Sequence, residues 1–227
     1  MASGEATRIV AVRHGQTAWN AQARIQGHTD IELDAVGHEQ AQRVAAALAD
    51  DPLHAVYSSD LQRARQTAAP LAERTGLPLR VDTGLRERAF GEFEGLSFAQ
   101  IEQRWPEQAA RWRQRDPEFG APGGEVLRAF RTRVVAAVAR LAQAHRGQHI
   151  VLVTHGGVLD LLYREATRVA LDAPRTWQLG NAGINRLLHT GEGLVLVGWG
   201  DVEHLEPTAS YDTRLLASKV QARDGTR

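Results

Sequence analysis

Two histidines in this chain follow short apolar runs and stand directly before glycine. Arg13-His14-Gly15 ends the run Ile9-Val10-Ala11-Val12, and Thr154-His155-Gly156-Gly157 ends Ile150-Val151-Leu152-Val153. An imidazole with a reference pKa of about 6.5 is largely neutral near pH 7 and is then a nitrogen nucleophile. A neighbouring guanidinium disfavours the imidazolium and keeps the ring neutral. The same guanidinium presents a fork of N–H donors that matches a phosphoryl group. Gly15 would let a ligand come close to the backbone. At His155 the glycines expose backbone N–H groups where a strand passes into a helix, so this ring could donate to the same oxygens. Taken alone, a histidine in such a place is more often a structural residue.

Two more segments carry charge of the right kind. In Ser59-Asp60-Leu61-Gln62-Arg63, Arg63 falls in the first turn of an expected helix. The dipole there favours anions, so an arginine suits the position only when an anion lies between. Arg65 belongs to the solvated face of that helix. In Leu85-Arg86-Glu87-Arg88, a carboxyl beside a desolvated anion could hold a proton and act as general acid; on its own, Glu87 reads as a surface salt-bridge partner. Phe90, Trp105, Trp112 and Phe119 form a candidate apolar wall for the alcohol part of a substrate.

The elements that must position these groups alternate. Apolar β-branched runs, with His54-Ala55-Val56-Tyr57 as a third, alternate with helical patterns, which predicts an α/β fold with a mainly parallel sheet. Ligands of such sheets bind beyond the carboxyl ends of the strands, where the polar residues named above stand. Asp34 is the expected N-cap of a helix running to Asp50, with Val36, Ala41, Val44 and Leu48 inward. Ser58 or Ser59 is expected to cap a helix to Thr75, stopped by Gly76 and Pro78. An amphipathic helix is expected from Glu125 to His145 and an edge hairpin over 186–199. The aromatic and proline-containing stretch 84–124 predicts short helices forming a lid over the strand ends. One domain over 1–227 is expected, with a core of 7–206 and mobile tails at 1–6 and 207–227.

Composition excludes several functions. The chain has 27 Lys plus Arg against 27 Asp plus Glu, so a nucleic-acid partner or an anionic membrane surface is not expected. It has no cysteine, which excludes disulfides, thiol catalysis and Cys-ligated metal. No apolar run is long enough to span a bilayer, and the polar N-terminus lacks a signal-peptide core, so a cytoplasmic protein is expected. Nucleotide-binding glycine motifs are absent. Of the nine histidines, His145 and His149 straddle a helix end and His38 and His54 stand alone. No metal and no cofactor are therefore expected.

In order along the chain come Arg13-His14-Gly15-Gln16-Thr17-x-Trp19-Asn20, Ser58-Ser59-x-Leu61-x-Arg63-Ala64-x-x-Thr67, Leu85-x-Glu87 before Gly91-x-x-x-Gly95, and His155-Gly156-Gly157. Together, from about Arg8 to His204, they resemble the histidine phosphatase superfamily with its phosphoglycerate-mutase-like fold, in its compact broad-specificity phosphatase branch. The resemblance implies a three-layer αβα architecture with a mixed, mainly parallel sheet and a small helical lid. It implies His14 as the nucleophile that becomes phosphohistidine, Arg13, Arg63 and His155 as the phosphate clamp, and Glu87 as proton donor. Asn20 matches the family asparagine that contacts phosphate; Gln26 and Gly27 match the loop beside the pocket, and Gly156 adjoins the clamp. The implied activity is a metal-independent phosphomonoesterase acting on a small phosphorylated metabolite, as a monomer or homodimer. The runner-up is a cofactor-dependent phosphoglycerate mutase; a non-catalytic phosphate-binding protein ranks below both. Mutases of the superfamily carry a longer middle segment and a His-Tyr pair where this chain has Ala89-Phe90, so hydrolysis is favoured. Arg86, Arg88, Arg104, Arg111, Arg113 and Arg115 remain candidates to hold a second acidic group.

Overall fold

The computed structural model describes residues 5–206. Strands β1 (Thr7–Arg13), β2 (Ala55–Ser58), β3 (Leu79–Val81), β4 (His149–Thr154), β5 (Ile184–Thr190) and β6 (Gly193–Asp201) form one sheet in the order β3-β2-β4-β1-β5-β6. The first four are mutually parallel, and β5 and β6 run antiparallel as the edge hairpin. Helices are α1 (Ala18–Ala21), α2 (Ala35–Ala47), α3 (Gln62–Thr75), α4 (Phe98–Arg104), α5 (Pro106–Arg113), α6 (Leu127–Ala144) and α7 (Gly156–Thr167).

The continuous apolar runs of β1 and β4 are buried on both faces because side chains alternate across the sheet. Val10, Val12, Val151 and Val153 pack with Val44, Ala64 and Leu71 of α2 and α3. Ile9, Ala11, Ile150 and Leu152 pack with Phe130, Val134, Leu159 and Leu162 of α6 and α7 on the other face. The chain therefore leaves β1 towards one face and the adjacent β4 towards the other, which opens a crevice at their carboxyl ends.

The lid has its own core, in which Phe93, Ile101, Ala109, Phe119 and Ala121 are buried. Two expectations about helices need correction. Val36 is 47% exposed, since only Gly37, Ala41, Val44 and Ala45 of α2 turn inward, with Leu48 buried just beyond its end. Neither Ser58 nor Ser59 caps α3: the N-cap is Leu61, without a side-chain hydrogen bond, and Ser59 is used elsewhere. The expected tails lie, apart from residues 5 and 6, outside the described residues. Among the described residues no helix is long and apolar enough to cross a membrane.

Candidate active site

The pairing of β1 with β4 sets the site. Arg13 lies opposite Thr154, so the next residue on each strand is a histidine at the same level. His14 N–H donates to the Thr154 carbonyl at 2.9 Å. The two rings lie with centroids 5.1 Å apart, tilted by 57°. His14 Nδ1 is 2.7 Å from the Gly15 carbonyl oxygen. That oxygen can only accept, so Nδ1 carries the proton and Nε2 the lone pair. Burial, then the charges of Arg63 and Arg13, hold the His14 pKa well below the ordinary histidine value, against the opposing Gly15 hydrogen bond. His155 is lowered in the same way by burial and by Arg63, His14 and Arg13.

His155 Nε2 is 2.7 Å from Ser59 Oγ, and its Nδ1 is buried without a partner among the described residues. Arg63 is fully buried, with Nη1 donating to Thr29 O at 3.0 Å and Nη2 to Gly27 O at 2.7 Å. Burial brings its pKa down to about 10, which still leaves it charged at neutral pH. Arg13 donates through Nη1 to the Leu179 carbonyl. The Nε atoms of Arg13 and Arg63 have no partner among the described residues. Buried donors cost free energy when unpaired, so this concentration of them beside a neutral imidazole suits an anionic ligand.

Glu87 lines the same cavity. Its Oε1 accepts from Arg88 N–H at 2.8 Å and its Oε2 from Gly157 N–H at 2.9 Å, the start of α7. Its backbone carbonyl accepts from His28 Nε2 at 2.8 Å and Arg133 Nη2 at 3.1 Å, so α6 and the 26–29 loop both fix this segment. A Cβ on Gly157 would lie 2.1 Å from Glu87 Oε1, so the carboxylate sits where only glycine leaves room. The expected reason for Gly15 changes: a Cβ there would meet the Gly37 carbonyl oxygen at 2.6 Å. Its missing side chain lets α2 pack under the His14 loop.

Asn20 lies in the cavity wall; its Oδ1 accepts from Thr17 N–H at 3.1 Å and Asn181 Nδ2 at 3.2 Å, so its own NH2 is the group left for a ligand. Gln26 is buried rather than solvated, and its Oε1 has no partner among the described residues. Gly27 and Gly156 also line the cavity, so of the nine catalytic and phosphate-contacting candidates all but His155 line it. His155 is fully buried beside it, its ring 5.1 Å from that of His14 and its Nε2 on Ser59 Oγ.

The cavity volume is about 400 Å³. Phe90 and Trp112 form part of its apolar wall, but Trp105 and Phe119 do not: they pack inside the lid core. Of the arginines considered for a second acid, Arg86 is paired with Asp60, Arg111 with Asp116 and Arg113 with Glu102, and Arg104 is exposed away from the cavity. Arg88 and Arg115 do line it, joined by Arg24 and Arg175. Sequence reasoning missed Ser59, Asn181, Arg175 and Trp177. Ser59 had a signal, as a hydroxyl at the end of β2; the other three lie in a coil between α7 and β5 that has no periodicity to read. Among the described residues no group of three metal-ligating side chains occurs.

The family model described as histidine phosphatase superfamily (branch 1) matches residues 9–202. A phosphoglycerate mutase-like protein 4 of Arabidopsis thaliana is 40% identical, over 88% of this chain and 87% of that protein. A metal-independent phosphoserine phosphatase of the same organism is 36% identical, over 88% and 84%. The solved structure of a mycobacterial glucosyl-3-phosphoglycerate phosphatase with VO3 superposes with a TM-score of 0.77 at 35% identity, over 85% of this chain and 98% of that one.

Proposed function

Because the chain belongs to the histidine phosphatase superfamily, branch 1, we propose that it is a metal-independent phosphomonoesterase that passes the phosphoryl group through His14. The observation that carries this reading is the His14 ring, which is buried, holds its proton on Nδ1 and shares its cavity with two buried guanidinium groups and a carboxylate. Nε2 attacks phosphorus in line, forming the P–N bond as the P–O bond to the alcohol breaks. Arg13 and Arg63 offset charge on the equatorial oxygens and neutral His155 donates a hydrogen bond to them, which is most of what phosphoryl transfer asks of a protein. Asn20 and Gln26, with the backbone of Gly27 and Gly156, orient the ester. Glu87 gives its proton to the departing oxygen. In the second step water attacks phosphorus, Glu87 takes the water proton, and the P–N bond electrons return to Nε2 as inorganic phosphate leaves.

Two fixed guanidinium charges stand where a metal ion would otherwise act. The protein acts as a monomer or as a homodimer. A small phosphorylated metabolite is the substrate, and the cytoplasm, where such charged esters are retained, is its place of action. The test is a rapid quench with a radiolabelled phosphate ester in the presence of a chelator. An alkali-stable, acid-labile phosphoenzyme is expected, absent in His14→Ala; full turnover by that variant, or a need for a divalent ion, overturns the reading. A phosphoglycerate mutase is the second reading, favoured by the additional arginines of the cavity. Incubation with 3-phosphoglycerate separates the two: inorganic phosphate marks the hydrolase and 2-phosphoglycerate the mutase.

A further inference from the structure

Arg63 reaches the cavity from α3, but its guanidinium is held by a loop. The Gly27 carbonyl accepts from Nη2 at 2.7 Å and the Thr29 carbonyl from Nη1 at 3.0 Å. These bonds take one hydrogen of each Nη and leave the others, with the Nε–H, for a ligand. Residues 26–29 belong to no helix or strand, and Thr29 N–H to the Gln26 carbonyl at 3.1 Å is the one backbone hydrogen bond within them. The loop takes its shape from Glu94, just beyond the turn Gly91–Phe93. Glu94 Oε1 accepts from His28 N–H at 3.0 Å, and Oε2 from Thr29 N–H at 2.8 Å and the Thr29 hydroxyl at 2.5 Å. Oε1 also accepts from Phe90 N–H at 2.9 Å, so the same carboxylate reaches a residue of the cavity wall. Gly27 has a φ of +55°, and a Cβ there would lie 2.1 Å from Glu94 Oε1, so loop and carboxylate fit together only without a side chain at 27. Burial pushes the Glu94 pKa up, but the bonds from Thr29, His28 and Phe90 outweigh it and hold the carboxyl below its ordinary value. It is therefore charged at neutral pH, and every one of these bonds ends on the loop or the lid.

We propose that Glu94 is a positioning residue: it holds the 27–29 loop so that the Gly27 and Thr29 carbonyls fix the Arg63 guanidinium against the phosphoryl group. This rests on the phosphatase reading of the cavity. Glu94 is not itself among the lining residues, so its effect must pass through another side chain. Hydrogen bonds to an ionised acceptor are roughly twice as strong as neutral ones, and four of them on one carboxylate stiffen a loop that has little backbone bonding of its own. A guanidinium fixed in advance needs no reorganisation as charge builds on the equatorial oxygens. The loop also reaches Glu87, whose carbonyl accepts from His28 Nε2 at 2.8 Å. That bond holds a main-chain atom, whereas the bonds to Arg63 hold the charged group itself, so Arg63 is the residue through which Glu94 acts.

The experiment is a double-mutant cycle on Glu94→Gln and Arg63→Lys. Glutamine keeps the size of the side chain but turns an NH2 towards N–H groups that had an acceptor. Lysine keeps the charge at 63 but has no planar fork for the two carbonyls to hold. Each protein is measured for orthovanadate inhibition, for kcat/KM on p-nitrophenyl phosphate and on an alkyl phosphate, and for thermal unfolding. In Glu94→Gln the vanadate inhibition constant is expected to rise about tenfold and kcat/KM to fall about tenfold on both esters, the size of one charge-assisted hydrogen bond. In the Arg63→Lys background the same change is expected to cost less than about threefold, because the group it positions is gone. A purely structural role would instead multiply through in both backgrounds. A tenfold loss that persists with Arg63→Lys, an unchanged vanadate constant, or a loss confined to the alkyl ester overturns the proposal while the phosphatase reading stands. Should Glu94→Gln lose its cooperative unfolding transition, Thr29→Val, which removes only the hydroxyl bond, takes its place in the cycle, with about threefold expected and the same criteria. If the unmodified protein neither turns over an ester nor binds vanadate, it is the phosphatase reading that fails.

Discussion

Replacing Gly157 by alanine displaces Glu87 without altering any ionisable group. The added Cβ would lie 2.1 Å from Glu87 Oε1 and 3.1 Å from Phe130 Cε1. The aromatic ring is locked in the core, so the carboxylate has to move. It would then lose the Gly157 N–H bond of 2.9 Å that aims it into the cavity. The cost in stability is small, because the atom in the way is the end of a flexible side chain, and alanine is the better helix former by about 1 kcal/mol. The cost in rate is set by the proton transfer proposed for Glu87. A well-placed general acid contributes about 10²- to 10⁴-fold, or roughly 2.7–5.4 kcal/mol of barrier. The assay is the leaving-group dependence of phosphoenzyme formation. An alkyl phosphate needs its oxygen protonated as it leaves, whereas a p-nitrophenyl ester scarcely does. The variant should therefore lose at least about a hundredfold on the alkyl ester and less than about tenfold on the aryl ester, with thermal unfolding unchanged. Equal losses on the two esters, or none on either, would refute the assignment of Glu87 as proton donor.

Two other outcomes follow from the histidine pair. Among the described residues the Ser59 hydroxyl bonds only to His155 Nε2, and a hydroxyl that donates there leaves the ring's own proton on Nδ1. Ser59→Ala should lower kcat by about tenfold, near 1.4 kcal/mol, and nitrogen NMR should show His155 losing its single tautomer; an unchanged tautomer would remove Ser59 from the site. The second outcome concerns acid. His14 and His155 are neutral when folded because their pKa values are depressed, while the unfolded chain takes up protons near pH 6.5. Their effect on stability is thus nil well above pH 6.5, and stability is lost as pH falls below it, by up to about 1.4 kcal/mol per pH unit for each ring. Urea midpoints at pH 7.5, 6.5 and 5.5 should show a shallower loss in His14→Asn than in the unmodified protein, and parallel curves would contradict a buried neutral ring.

Much of this arrangement was legible in the sequence because strands carry their own register. Two buried β-branched runs that each end in a histidine will bring those histidines together if the strands pair in parallel at matching positions, and β1 and β4 do. The periodic helices were readable for the same reason, down to the buried Leu127, Phe130, Val134, Val138 and Leu141 of α6. Reading failed where a side chain's role depends on what another segment offers it. Ser59 has the local look of a helix cap, yet a ring from a residue 96 positions later claims its hydroxyl. Trp105 and Trp112 look alike in sequence, but only Trp112 reaches the cavity, because Trp105 packs against Phe93 inside the lid. Arg175 and Trp177 stand in a coil whose path is set by the elements around it. The end of the cavity proposed to take the phosphoryl group is built from the ends of regular strands and helices, so it can be read locally. The outer end is assembled from the lid and that coil, and its arginines become a group only once the chain has folded. Fixing the chemistry on regular elements while irregular segments surround the alcohol lets one reaction serve different substrates, so the identity of the ester is encoded in the part of this chain that sequence patterns describe least.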